Sequence, residues 1–256
     1  MTLLSVVLLA LAGPSLSLSL PSQIHFSNDP IPETTLPVVL WHGLGDTYNS
    51  NGMKSVASLI NETYPGTFVH SIYLDEDPSK DRNDGFIGHL ADQIEFVCAQ
   101  LRDIPELYSG FDAMGFSQGG QFLRGYVERC NFPPVRNLIT WGSQHNGIAD
   151  LPECNSSDFW CKAAFALLKR NMWSAYVRNN LVQAQYFRDP EDLETYLELS
   201  AWLADINNEK EEKNTTYADN LASLEKFVMI KFTEEKTVVP PDSSVSLPYL
   251  IIVVDV

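Results

Sequence analysis

Gly115-Phe116-Ser117-Gln118-Gly119 decides the reading of this 256-residue chain. The pentapeptide is a G-x-S-x-G pattern. It follows the apolar run from Phe111 to Gly115 and precedes Gln118 to Arg129, whose spacing predicts a helix. A serine on such a sharp strand-to-helix turn holds its hydroxyl above the sheet, and the flanking glycines let the backbones approach without a Cβ clash. The helix that follows aims its free N–H groups and positive dipole end at the place where an oxyanion would develop. Gly and Ser are common, so the pentapeptide alone says little. In this context it makes Ser117 a candidate nucleophile rather than the tip of a structural turn.

Working outward, Leu36 to Trp41 is a short continuous apolar run of the kind a buried strand carries. Similar runs recur at Thr67 to Tyr73, Asn137 to Trp141 and Phe227 to Phe232, and Ile87 to Leu101 has helical spacing. Strand and helix in alternation predict an α/β fold, a mostly parallel sheet with helices on both faces. From about Leu151 to Ser223 the pattern turns to long helical stretches, Phe159 to Met172 and Tyr176 to Phe187 among them. This predicts a helical insertion, which would serve as a lid or apolar groove or would simply pack on the sheet.

A second element with chemical content follows the first strand. In His42-Gly43-Leu44-Gly45-Asp46 two glycines allow a loop to bring backbone N–H groups close to a substrate oxygen. Acyl transfer at a serine elbow uses two such donors, one on the residue after the nucleophile and one from an early loop. Gln118 and Leu44 are the candidates. The alternative is a glycine-rich turn in which His42 is structural.

Hydrophobic residues make up 45% of the chain and charged residues 20%, ordinary figures for one domain with its own core. Residues 1–20, with an apolar stretch from Leu3 to Ala12 followed by small residues and Pro14, read as a signal peptide, too short to span a membrane. Residues 21–256 are then one α/β domain carrying the helical insertion of about 151–223. The net charge of −16 excludes nucleic acid and anionic membrane as natural partners. The acidic runs Asp75 to Asp77 and Glu209 to Glu212 read as solvated loops. Cys98, Cys130, Cys154 and Cys161 have no metal-ligand spacing, so neither zinc nor any cofactor is implied. In an exported chain they predict two disulfides with three pairings open, and the short loop makes Cys154 with Cys161 the first choice, leaving Cys98 with Cys130. Asn61, Asn155 and Asn214 begin glycosylation sequons.

Four stretches carry a family resemblance: Leu40-Trp41-His42-Gly43-Leu44-Gly45-Asp46, Ala113 through Arg124, Gln144-His145-Asn146-Gly147, and Leu203-Ala204-Asp205-Ile206-Asn207. They resemble the palmitoyl-protein thioesterases, in the same order, from about Leu36 to Val239. The resemblance implies an α/β-hydrolase in the lysosome or secreted, cleaving the thioester between a long fatty acyl group and a protein or peptide cysteine. It implies Ser117 as nucleophile, Leu44 and Gln118 as oxyanion donors, and the disulfides Cys98 with Cys130 and Cys154 with Cys161.

The rest of the triad is harder to place. In this fold the acid follows a late strand and the histidine follows the acid. The family's acid aligns with Glu235, with Glu234 and Asp242 as alternatives. The five histidines are His25, His42, His70, His89 and His145, and none follows Glu235. His145 is the substitute to consider. The ending from Ser246 to Val256 matches nothing in the family, so a truncated or divergent C-terminal end, exposed apolar surface, poor stability and little turnover are expected of this chain. The rival readings are a non-catalytic acyl-binding pseudoenzyme and a lipase or carboxylesterase.

Overall fold

The computed structural model describes residues 35–150, 168–245 and the backbone of 250–254. The strands are β1 (Val38–Trp41), β2 (Val69–Ser71), β3 (Phe111–Phe116), β4 (Val135–Trp141), β5 (Lys226–Phe232) and β6 (Leu250–Val254), in one sheet of order β2-β1-β3-β4-β5-β6. Every neighbouring pair is parallel. The helices are α1 (Asn51–Thr63), α2 (Pro78–Asp84), α3 (Leu90–Arg102), α4 (Gln118–Arg129), α5 (Ala175–Asn180), α6 (Val182–Gln185), α7 (Leu193–Leu199), α8 (Leu203–Ile206) and α9 (Thr215–Ala222). No helix among the described residues is long and apolar enough to cross a membrane.

The chain runs from β1 outward to β2 and then returns to the other side of β1 as β3. The carboxyl ends of β1 and β3 therefore lie side by side where the strand order reverses, the place at which parallel α/β sheets open a crevice for ligand. The loop His42–Asp46 leaves one of these ends and Ser117 leaves the other. This is the α/β-hydrolase arrangement.

Side chains alternate across the sheet as strand geometry requires. Val39 and Trp41 of β1 and Phe111 and Ala113 of β3 join one buried cluster with Leu90, Ile94, Val97 and Leu101 of α3 and Phe122 and Tyr126 of α4. Trp41 meets Phe122 edge-on at 5.5 Å. Leu40 is equally buried but stands outside that cluster, as a side chain on the opposite face must. The disulfide between Cys98 of α3 and Cys130 beyond α4 closes one of the two expected bridges. Cys154 and Cys161, like Asn155 and the leader, lie outside the described residues.

Helix α4 is buried from Gln118 to Glu128, so its polar residues must find partners inside the protein. The Arg124 guanidinium lies 3.3 Å from the Glu128 carboxylate and donates to the His145 carbonyl at 3.0 Å and the Asn207 side chain at 2.7 Å. Burial nevertheless dominates at Glu128 and, against the attraction of Arg124, pushes its carboxyl up to about 7. A carboxyl raised in the folded state contributes stability that is complete below its unfolded value of 4.5 and is lost as pH rises through about 7. The difference corresponds to about 3 kcal/mol. Glu128→Gln is therefore expected to melt near the parent protein at pH 4.5 and above it at pH 8. Calorimetry at both pH values checks this, and a gap that does not widen with pH contradicts it.

Three local expectations change. Tyr176 to Phe187 is not one helix. Leu181 is extended between α5 and α6, where it bridges Ile87, and the Val182 N–H donates to the Phe86 carbonyl at 2.9 Å. Ile87, expected inside a helix, forms that bridge instead, and α3 starts at Leu90. Glu209 is no free loop acid, since it pairs with Arg188 at 3.0 Å and accepts from the Tyr196 hydroxyl. At the far end, Leu250–Val254 runs parallel to β5 as the edge of the sheet. Phe159 to Met172 is described only from residue 168.

Candidate active site

Ser117 sits between β3 and α4 with φ 49° and ψ −119°, a region that a residue with a side chain enters only at a cost of about 1–3 kcal/mol. The surrounding contacts enforce it. Its N–H donates to the Trp141 carbonyl at 2.7 Å, continuing the β3–β4 register past the end of the strand. A Cβ on Gly115 would come within 2.3 Å of Gly120 Cα, and one on Gly119 within 2.4 Å of the His42 carbonyl oxygen. The two glycines thus let the first turn of α4 press against β3 and the end of β1.

Gly43 lies against this elbow. A side chain there would meet Ser117 Cβ at 3.3 Å and the Phe116 carbonyl at 3.2 Å. The next N–H, on Leu44, has no acceptor among the described residues. Gln118, at the first position of α4, has no intrahelical acceptor for its N–H either. The N–H groups of Leu44 and Gln118 are thus without an acceptor among the described residues.

The loop carrying Leu44 is anchored by a pair that the sequence did not disclose. The Nε2 atom of buried His42 stands 3.1 Å from the Asp81 carboxylate, and its Nδ1 lies 2.9 Å from the Gly43 carbonyl. Asp81, wholly buried in α2, also accepts from the Leu74 N–H at 2.8 Å and the Tyr48 N–H at 2.9 Å. Burial by itself would lower the imidazole and raise the carboxyl. The contact between them and these backbone partners outweigh it, holding His42 above and Asp81 below their ordinary values. His42 is thus committed to holding the loop.

Glu235 follows β5. Its Oε1 accepts from the N–H groups of Thr237 at 2.6 Å and Val238 at 2.9 Å, and its Oε2 would face a side chain at Gly142 at 3.3 Å. This half-buried carboxylate is fixed in place, whereas Glu234 is exposed and Asp242 pairs with Lys231 at 2.7 Å. His145 is fully buried. Its Nε2 lies 2.9 Å from the Thr140 hydroxyl and its ring stands edge-on to Phe227, and burial together with the charge of Arg124 keeps it neutral well below the usual imidazole range. His70 pairs with Gln100 and His89 with Asp92, and His25 lies outside the described residues. Among the described residues, no imidazole hydrogen-bonds Ser117.

Residues 37–249 match the family model described as palmitoyl protein thioesterase. Palmitoyl-protein thioesterase 1 of Caenorhabditis elegans is 41% identical over 210 residues, covering 82% of this chain and 70% of that protein. Palmitoyl-protein thioesterase 3 of Dictyostelium discoideum is 34% identical over 209 residues, covering 82% and 68%. A palmitoyl-protein thioesterase-dolichyl pyrophosphate phosphatase fusion of Schizosaccharomyces pombe is 36% identical over 211 residues, 82% of this chain but only 34% of the fusion.

Proposed function

The chain belongs to the palmitoyl protein thioesterase family, and from that premise we propose that its Ser117 site acts on the thioester of S-palmitoylated proteins or peptides. The observation that carries the reading is the strained Ser117 with the Leu44 and Gln118 N–H groups free on either side. In the reaction the Ser117 oxygen adds to the thioester carbonyl, whose oxygen takes the two N–H bonds. The cysteine thiolate then leaves with the serine proton, and water releases the fatty acid from the acyl-serine. Glu235 is the acid of the set. It would orient a histidine, and among the described residues none hydrogen-bonds Ser117.

The engagement of His42, His70, His89 and His145 with other partners supports a second reading, a protein that holds acylated cysteine without cleaving it at a useful rate. The lysosome or the exterior is the proposed location, supported by the leader-like residues 1–20 and by the exposure of Asn61 and Asn214 at two sequons. An S-palmitoyl peptide and an S-acetyl peptide separate the acyl readings. Thiol release from the palmitoyl peptide is expected about a thousandfold above buffer, the residue left by an oxyanion hole and binding, with the acetyl peptide far slower. Equal rates for the two peptides, or a palmitoyl rate equal to buffer, contradict the proposal.

A further inference from the structure

The side chain of Gln118 has no part in the chemistry proposed for its N–H, yet it is buried and fully engaged. Its Oε1 accepts from the Tyr186 hydroxyl at 2.9 Å and lies 3.4 Å from the Gln183 amide nitrogen. Its Nε2 donates to the Gly85 carbonyl at 3.1 Å, and Gln183 donates to the same oxygen at 3.0 Å. The amides of Gln183 and Gln144 also face the Tyr186 hydroxyl, and burial raises that phenol far above its ordinary range, so it remains a donor. Gly85 closes the circle, because a side chain there would meet Gln118 Nε2 at 3.5 Å and Leu44 Cδ1 at 3.8 Å. Gln118 is thus tied to the Gly85 carbonyl, which Gln183 of α6 shares, while the Leu44 side chain lies beside the same glycine.

We propose that Tyr186 and Gln183 are positioning residues that fix the Gln118 N–H through its carboxamide, so that the seating of the α6 segment and the order of the oxyanion site are one equilibrium. The inference rests on the serine reading above. A rotated Gln118 turns the first peptide of α4, and a donor misaimed by a few tenths of an ångström loses most where the oxygen is anionic and little where it is a neutral carbonyl. Tyr186 and Gln183 therefore act on the tetrahedral state and leave ground-state binding of the acyl chain alone.

The test uses the full chain and two probes. One is a long-chain alkylboronic acid, to which the Ser117 oxygen adds with loss of its proton to solvent. The other is an S-hexadecyl peptide, a thioether that cannot be attacked. Tyr186→Phe, which removes one oxygen, is expected to weaken the boronate about five- to tenfold, the size of one lost hydrogen bond, to leave thioether affinity unchanged and to lower the melting temperature by only a few degrees. Gln183→Leu should behave alike. In a Gln118→Leu background, which keeps the N–H, Tyr186→Phe should have no further effect. Equal weakening of both probes, additive losses in the double variant, or an unchanged boronate affinity overturns the inference while leaving the serine reading intact. Boronate binding absent from the parent protein, or unaltered by Ser117→Ala, removes the serine reading and the inference with it.

Discussion

Hydrolysis of an S-palmitoyl peptide by the 256-residue polypeptide is expected to run about six orders of magnitude below a serine hydrolase with a complete Ser-His-acid set, equivalent to about 8 kcal/mol of transition-state stabilisation. Ser117→Ala and Glu235→Gln are each expected to change the residual rate by less than about tenfold. Triad members act as a unit, so where no imidazole bonds the serine the other two contribute little. Among the described residues no imidazole reaches Ser117. His42 is spent on Asp81, His145 is buried against Thr140, and His70 and His89 have partners of their own. What remains is the pair of backbone donors and the bound acyl chain. Steady-state thiol release by the three proteins at equal concentration measures this. Brisk turnover that collapses in Ser117→Ala would show that a base reaches Ser117 after all.

Arg124→Leu is expected to cost about 3–5 kcal/mol at pH 7.5, the loss typical of breaking a buried ion pair from one side. The substitution leaves Glu128 without its partner and deprives the His145 carbonyl and Asn207 of a donor. For a domain of this size the melting temperature should fall by about 10–15 °C. Glu128 can take up a proton more readily than an ordinary carboxylate, so the loss should shrink at pH 5. Thermal melts at the two pH values check both statements. A fall of less than about 3 °C at pH 7.5, or a larger fall at pH 5, would show that the cluster around α4 does not support the fold as described.

What the sequence made legible divides along a physical line. Strands β1, β3, β4 and β5 are short apolar runs, and helix α4 was placed from Gln118 to Arg129 because a glycine-flanked serine marks its start. These are local signals. The break at Leu181 is not local, since nothing between Tyr176 and Phe187 forbids a helix and only pairing with Ile87 and Phe86 stops it. Asp81 stands in a polar run, Asp77 to Asp84, that resembles a solvated loop, and its burial follows from His42 and two backbone N–H groups far away in sequence. Arg124 and Glu128, four residues apart on α4, look like a surface pair until α4 is seen to be covered on every side. The Gln118 clamp joins residues 65 to 68 positions apart, a distance that one sequence cannot bridge.

The central claim is that the elbow presents Ser117 as the nucleophile, and the most direct measurement is the site of covalent reaction with a long-chain alkyl fluorophosphonate. The serine oxygen bonds to phosphorus, fluoride leaves and the proton passes to solvent, so intact mass and peptide mapping after prolonged incubation read the outcome. The account predicts one phosphonyl group per chain, slowly formed, on the peptide containing Ser117 and absent from Ser117→Ala. An adduct on another residue, or none after exhaustive reaction of the folded protein, would contradict it.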